Sequence, residues 1–168
     1  MRIVDLIKNT NKTAFSFEVL PPLKGTGIEK LYQTVDCLKE FNPHMVGIGP
    51  FIPHKDTSFK DFESGSVDKT LFLLSTIRLM LPNVLLPATT ALGTLSENGR
   101  ERGIMAGANV IMPNLSPEDA RSKYNLYDNK LATGCEAAEN LEKLKKQIKI
   151  TNCEIVTDKG DYKNGIQS

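Results

Sequence analysis

Two consecutive threonines, Thr89 and Thr90, stand near the end of the apolar run LPATTA at positions 86–91, with Ala91 behind them. Hydroxyls and free backbone N–H groups at a strand end suit a carboxylate or a similar small anion, because each of them can donate a hydrogen bond. The same pair also reads as a strand terminus whose polar groups satisfy one another. Glu18 poses a comparable choice. It lies inside the run AFSFEVL at 14–20, where a carboxylate costs free energy unless paired. It is therefore either a salt-bridged glutamate or an acid at a ligand site. His54 closes MVGIGPFIPH at 45–54. At a strand exit it suits a ligand or proton-donor role, and equally a surface or capping position. Tyr124 and Tyr127 are spaced i, i+3 on one helix face and could pack over one end of the fold. Met45, Ile52 and Met112 read from composition as core, methionine being a routine gap-filler.

These residues fall at the ends of short apolar runs. The runs at 45–52, 84–91 and 109–113 each finish in Gly, Pro, Thr or Asn before the next helical pattern, as buried parallel strands do where they open onto loops. The run at 14–20 is ended by Pro21 and Pro22, which allow no further pairing. Helical patterns separate the runs. A leading helix is expected within 1–11. The capping box Thr26-x-x-Glu29 opens a second, with Ile28, Leu31, Val35 and Leu38 at helical spacing. A third spans 67–81, with Ser64 or Ser66 in front and Pro82 behind, and is apolar enough to be buried on more than one face. A poorer one at 96–107 closes on Gly107. Ser116-Pro117-Glu118-Asp119 starts another, and 136–149 is amphipathic, with Ala137, Leu141, Leu144 and Ile148 inward. A short strand is expected at 154–156.

Strands alternating with helices predict an α/β fold with parallel pairing and right-handed crossovers. A complete eight-stranded barrel takes about 250 residues. A chain of 168 residues is then expected to form a partial, half TIM-type barrel of four to five βα units, in one domain spanning 1–168.

Hydrophobic residues make up 40% of the chain, enough for a core. Lys plus Arg total 21 against 20 for Asp plus Glu, a net charge of +1. That balance gives no electrostatic case for nucleic acid or an anionic membrane, and it directs attention to a small-molecule or small-anion ligand in a cavity. Cys37, Cys135 and Cys153 are far apart and show no metal-ligand spacing, which predicts three reduced cysteines and no metal site. Without an apolar leader or a membrane-length apolar run, a cytoplasmic protein is expected.

The segments MVGIGPFIPHKDT, PATTALGT, GRERG, AGANVIMPN and YNLYDNK follow one another between residue 45 and about residue 162. In that order they resemble the C-terminal part of the radical S-adenosylmethionine enzymes of FeFe-hydrogenase maturation, relatives of biotin synthase. The resemblance implies a barrel around a long cavity, with S-adenosylmethionine and a 4Fe-4S cluster near one mouth. It implies that Met45 lines the cavity, that Ile52 borders the adenosine region, and that Thr89, Thr90 and Ala91 form a small polar floor able to hold an anion. Met112 and Tyr127 would be further cavity wall. The C-x-x-x-C-x-x-C motif that holds the cluster in that family is absent from this chain. Residues 1–43, through SFEVLPPLKGTGIEKLYQTVDCLKEFNP, resemble instead the start of methylenetetrahydrofolate reductase, a flavin-dependent barrel. In that resemblance Glu18 would be the general acid beside FAD, and the join at 42–45 would keep strand and helix in phase.

The reading that follows is a fragment or fusion related to the maturase, keeping cavity surface for a small ligand but not the cluster. The alternatives are a reductase-like flavin fragment and a non-catalytic half-barrel. Half a barrel leaves two strand edges and an apolar inner face, assigned here to Val46, Ile48, Val110 and Met112, and a homodimer that closes both edges is expected.

Overall fold

The computed structural model describes residues 28–113, 127 and 137–156. Helix α1, Ile28–Lys39, carries Glu29 in its first turn and Lys39 in its last, charges that oppose the helix dipole at each end. It buries Val35 and Leu38. The chain leaves it through Asn42, whose φ of 46° lies in the left-handed region that asparagine tolerates. The expected leading helix at 1–11, the 14–20 strand with Glu18, Thr26, Ser116 and Tyr124 lie outside the described residues.

Parallel pairing is present. Met45 bridges Leu85 in parallel, with Val46 N donating to Leu85 O at 3.0 Å and Leu85 N to His44 O at 2.9 Å. Strand β1, Pro87–Ala88, then pairs in parallel with β2, Val110–Ile111, placing Pro87 opposite Val110 and Ala88 opposite Ile111. Asn109 sets the approach of β2, since its Oδ1 accepts from Leu86 N at 2.8 Å while its own N–H donates to Leu86 O at 2.9 Å. Two two-residue strands and one bridge are the whole of the sheet among the described residues. The parallel direction and neighbour order expected for the strands at 45, 85–88 and 110–111 hold, and the described residues by themselves do not form a barrel of four to five units.

Helix α2, Val67–Met80, starts where Ser66 accepts from Lys69 N at 3.2 Å. Thr70, Leu73, Leu74 and Ile77 follow at i, i+3, i+4 and i+7, and all are buried. Phe72 and Leu79 are exposed, Leu79 at 84%. The buried residues form one broad stripe, with Val67, Leu71 and Met80 packed partly buried against the same core and Phe72 and Leu79 on the open side. Arg78 ties the end of α2 to a later turn, donating from Nε to Gly107 O at 2.8 Å and from Nη1 to Pro82 O at 2.7 Å. Gly107 has φ +108° and lies so close to Arg78 that a Cβ would stand 2.8 Å from the arginine Cβ, so glycine is required there twice over.

The third expected strand is also corrected. Pairing stops at Ala88, Thr89 becomes the residue before a short helix α3, Thr90–Leu95, and α4, Gly99–Met105, follows after a tight turn. The helix expected at 96–107 is present as α4, and α3 takes the place of the end of the expected strand. Leu92 decides this: it is fully buried, and helical geometry at 90–95 is what sends it into the core. The turn between the helices is closed by Ser96 N to Leu92 O at 3.0 Å and Gly99 N to Ser96 O at 2.9 Å. Helix α5, Ala137–Lys149, buries Leu144 and Ile148 as its amphipathic spacing predicts. Residues 154–156 form no strand, and Val156 is exposed.

Val35, Leu38, Val46, Ile48, Leu73, Leu74, Ile77, Val84, Leu86 and Leu92 make one apolar cluster. Side chains alternate faces along a strand. Val46, Ile48, Val84, Leu86 and Ala88 thus lie on the helix-covered face, while register places Met45, Leu85, Pro87 and Val110 on the other. The expected inner-face set mixed the two: Val46 and Ile48 belong to the buried core, and Met45 takes their place beside Val110 and Met112. Among the described residues, no helix is long and apolar enough to cross a membrane.

Candidate functional site, a cationic threonine cluster at the strand ends

Thr89 leaves β1 with extended backbone, φ −71° and ψ 157°, and its side chain makes no capping hydrogen bond to α3. Its Oγ1 is buried without a partner among the described residues. The space for that hydroxyl is made by Gly49, at the end of the neighbouring parallel segment, where a Cβ would stand 2.8 Å from Thr89 Oγ1.

The turn between α3 and α4 then folds Arg100 back onto Thr90. Arg100 Nη2 donates to Thr90 Oγ1 at 3.3 Å, and Arg100 Nε is buried without a partner among the described residues. Burial holds the Arg100 pKa below the ordinary arginine value, with Tyr127 and Glu101 acting in the opposite sense. The guanidinium stays protonated regardless. Tyr127 is half-buried beside it. Burial pushes its phenol pKa up, against a side-chain hydrogen bond with Thr94 and the charge of Arg100, which both lower it. Thr94 Oγ1 also donates to Thr90 O at 3.1 Å, which ties the phenol to the first turn of α3.

Two polar groups of this cluster are buried without a partner among the described residues. Arg100 Nε can only donate, and the Thr89 hydroxyl has no acceptor. The Thr90 oxygen accepts from Arg100, which turns its proton elsewhere. A partly desolvated cation with two threonine hydroxyls asks for an acceptor-rich, negatively charged group.

The structure therefore brings Thr90 and Tyr127 together around Arg100, with Thr89 next in sequence and its Oγ1 against Gly49. Ala91 is half-buried in the first turn of α3. Met45, 45% exposed, and Met112, 52% exposed, are on the sheet face that leads to Thr89, so neither is the core residue that composition suggests. Ile52 is half-buried in the loop beyond Gly49. Glu18 lies outside the described residues. His54 caps a turn: its Nδ1 accepts from Asp56 N at 3.1 Å and its carbonyl from Thr57 N at 3.0 Å and Thr57 Oγ1 at 2.8 Å. Sequence reading missed Gly49, Thr94 and Arg100. The only signal for Arg100 was its place in GRERG, inside a segment read as an undistinguished helix, because no periodicity links positions 90 and 100.

The chain's own residues do not fit an iron–sulfur cluster. Cys37 and Cys153 are exposed free thiols, Cys135 lies outside the described residues, and no C-x-x-x-C-x-x-C occurs in the sequence. Among the described residues no three His, Cys, Asp or Glu side chains are grouped to hold a metal ion.

Comparison with known proteins places these features. Over 109 residues the chain is 45% identical to the [FeFe] hydrogenase maturase subunit HydE of Thermotoga maritima, covering 65% of this chain and 31% of that protein. It is 29% identical over 107 residues to the 3-methylornithine synthase of Methanosarcina barkeri, covering 64% of this chain and 30% of that enzyme. Against the 3-methylornithine synthase of Methanosarcina acetivorans it is 28% identical over 97 residues. No protein-family model matches. The maturase resemblance is thereby borne out, and the chain spans about a third of the length of the relatives it matches. None of these matches supports the reductase resemblance of residues 1–43, or the FAD and the Glu18 acid that came with it.

Proposed function

We propose that this chain supplies the ligand-holding C-terminal wall of a radical S-adenosylmethionine maturase-type barrel, with the cluster of Thr89, Thr90 and Arg100 as the seat for the anionic group of a small ligand. The observation that carries this reading is the pair of buried, unpartnered groups Thr89 Oγ1 and Arg100 Nε at the end of the strands. Burying such groups unmatched costs about 1–3 kcal/mol each, a cost that an acceptor-rich anionic group would offset. The sheet face with Met45, Leu85, Pro87, Val110 and Met112 would be cavity wall, Ile52 and Tyr127 would border it, and Ala91 would close the seat. The 45% identity to a hydrogenase maturase supports that placement.

In the parent family the resemblance implies S-adenosylmethionine and a 4Fe-4S cluster. The cluster has no ligands here, so no radical step is assigned to this chain; what its residues do is bind and orient. The test is an amide-resolved NMR titration with sodium acetate at constant ionic strength. Saturable shifts at Gly49, Thr89, Thr90 and Ala91 are expected, and their absence up to tens of millimolar would sink the reading.

A further inference from the structure

We propose that His54 is a proton-operated latch on the loop 51–65, which leaves the strand ends just beyond Gly49. The neutral imidazole closes the loop and the protonated one releases it. The latch stands apart from the anion seat and does not depend on it.

The two ends of the loop are joined by Gly65 N, which donates to Phe51 O at 2.8 Å, the closure of a compact Ω-type loop. Within it Phe51, Phe59 and Phe62 stack edge to face, with ring centroids 6.2 and 5.5 Å apart. All three rings are nevertheless exposed, so little apolar burial offsets the entropy of ordering the segment, and its order rests on its hydrogen bonds. Those bonds begin at His54. Its Nδ1 accepts from Asp56 N at 3.1 Å, and its carbonyl accepts from Thr57 N and Thr57 Oγ1. Thr57 Oγ1 accepts in turn from Phe59 N at 3.3 Å, Thr57 O from Lys60 N at 3.2 Å, and Phe59 O from Phe62 N at 3.0 Å. The imidazole is thus the first member of a relay that reaches the aromatic rings.

An imidazole nitrogen accepts a hydrogen bond only while it is unprotonated. The bond from Asp56 N therefore fixes the neutral ring as the tautomer with its proton on Nε2. A second proton goes to Nδ1 and sets a donor against the Asp56 N–H. The side chain is only 17% exposed, so water has poor access to the new donor. The Asp56 carboxylate has better access, with Oδ2 already 3.8 Å from Nδ1, and at closer range it makes a charge-assisted bond. Drawing the carboxylate in carries the Asp56 peptide N–H away, and a side-chain ion pair replaces the backbone bond of the turn. Lys55, Lys60, Asp61 and Glu63, the other charged side chains of the loop, are exposed. Among the described residues, Asp56 is the charged group within ion-pair reach of the ring.

The test is an NMR titration of the full isotope-labelled chain from about pH 8 down to about pH 5. At the upper end the ring nitrogens should report an Nε2-protonated tautomer. On descent, the Asp56 and Phe59 amides and the Phe59 and Phe62 ring signals are expected to move with the same midpoint as His54. Protection of the Asp56 amide should fall about tenfold, while constant protection at Leu74 excludes general unfolding. His54→Asn keeps an acceptor, Oδ1, near the place of Nδ1 but takes up no proton, and should leave the loop signals flat. His54→Ala lacks the acceptor and should show the released loop at every pH. An Nδ1-protonated ring at the upper end would overturn the proposal, and so would loop signals whose midpoint differs from that of His54. A transition that survives in His54→Asn would also overturn it, by assigning the titration to Asp56. The wild-type midpoints decide the matter without either variant.

Discussion

Gly49 and Thr89 meet on neighbouring parallel segments so closely that a Cβ on the glycine would lie 2.8 Å from the threonine Oγ1 and 3.2 Å from its Cγ2. The contact is between a bare backbone and the buried hydroxyl of the candidate site, so a single methyl group at 49 tests both packing and function. Gly49→Ala should cost about 1–3 kcal/mol of stability, the usual range for overpacking, and should weaken acetate binding because Thr89 has to rotate. Thr89→Ala removes both clashing atoms. In the Gly49→Ala background it should return most of the lost stability, measured as the urea midpoint, while acetate affinity stays low. If the double variant is no more stable than Gly49→Ala, the clash is not with Thr89.

The sequence made the polar end of β1 visible but not its architecture. Thr89 and Thr90 stand out because two hydroxyls follow an apolar run, and the parallel direction of 45–48, 85–88 and 110–111 follows from helices between strands. Arg100 was out of reach, since its bond to Thr90 depends on the turn at 96–98 that folds α4 back onto a helix α3 formed where a strand end was expected. Periodicity reports the face of an element and says nothing about where two short elements fold back. The same limit explains Val46 and Ile48: alternation shows that they share a face, but only the pairing of Met45 with Leu85 and the cover of α1 and α2 decide which face is core.

Helix α2 offers a direct check on its single buried stripe. Leu74 is fully buried in the cluster with Val35, Ile77 and Leu86, whereas Leu79 is 84% exposed. Leu74→Ala should cost about 2–5 kcal/mol and Leu79→Ala less than about 0.5 kcal/mol, read from chemical denaturation. Comparable losses at the two positions would show that α2 buries a second face.

The exposed sheet face raises the question of assembly. Val46 N and the His44 carbonyl bond to Leu85, so the peptide groups of the alternate residues, Met45 and Gly47, point to the other edge. Met45 and Met112 are about half exposed on the face beside them. Exposed edges and apolar faces of this kind template pairing with a second copy. A homodimer is the expected state, with a mass from light scattering that falls toward the monomer on dilution. Met45→Lys should shift that midpoint at least tenfold to higher concentration. A monomer at all micromolar concentrations in the parent chain would refute it.

Tyr127 ties the candidate site to stability at high pH. Its phenol is half-buried and hydrogen-bonded with Thr94, and burial raises its pKa against the opposing pull of that hydrogen bond and of Arg100. A raised value means that the folded chain holds this proton more tightly than the unfolded chain does, and unfolding in that window releases it. The contribution is complete below about 10, the value for an unperturbed tyrosine, and is lost as the pH climbs through the folded value. Stability should therefore decline above pH 10 more steeply in the parent chain than in Tyr127→Phe, which lacks the titrating group but keeps the ring. Urea midpoints from pH 8 to 11 give the comparison, and the remaining tyrosines and lysines cancel because both chains carry them. Ultraviolet titration adds a second readout, in which one late-ionising tyrosine present in the parent disappears in Tyr127→Phe. Equal slopes in the two chains would mean that the phenol is solvated and is not packed beside Thr94 and Arg100.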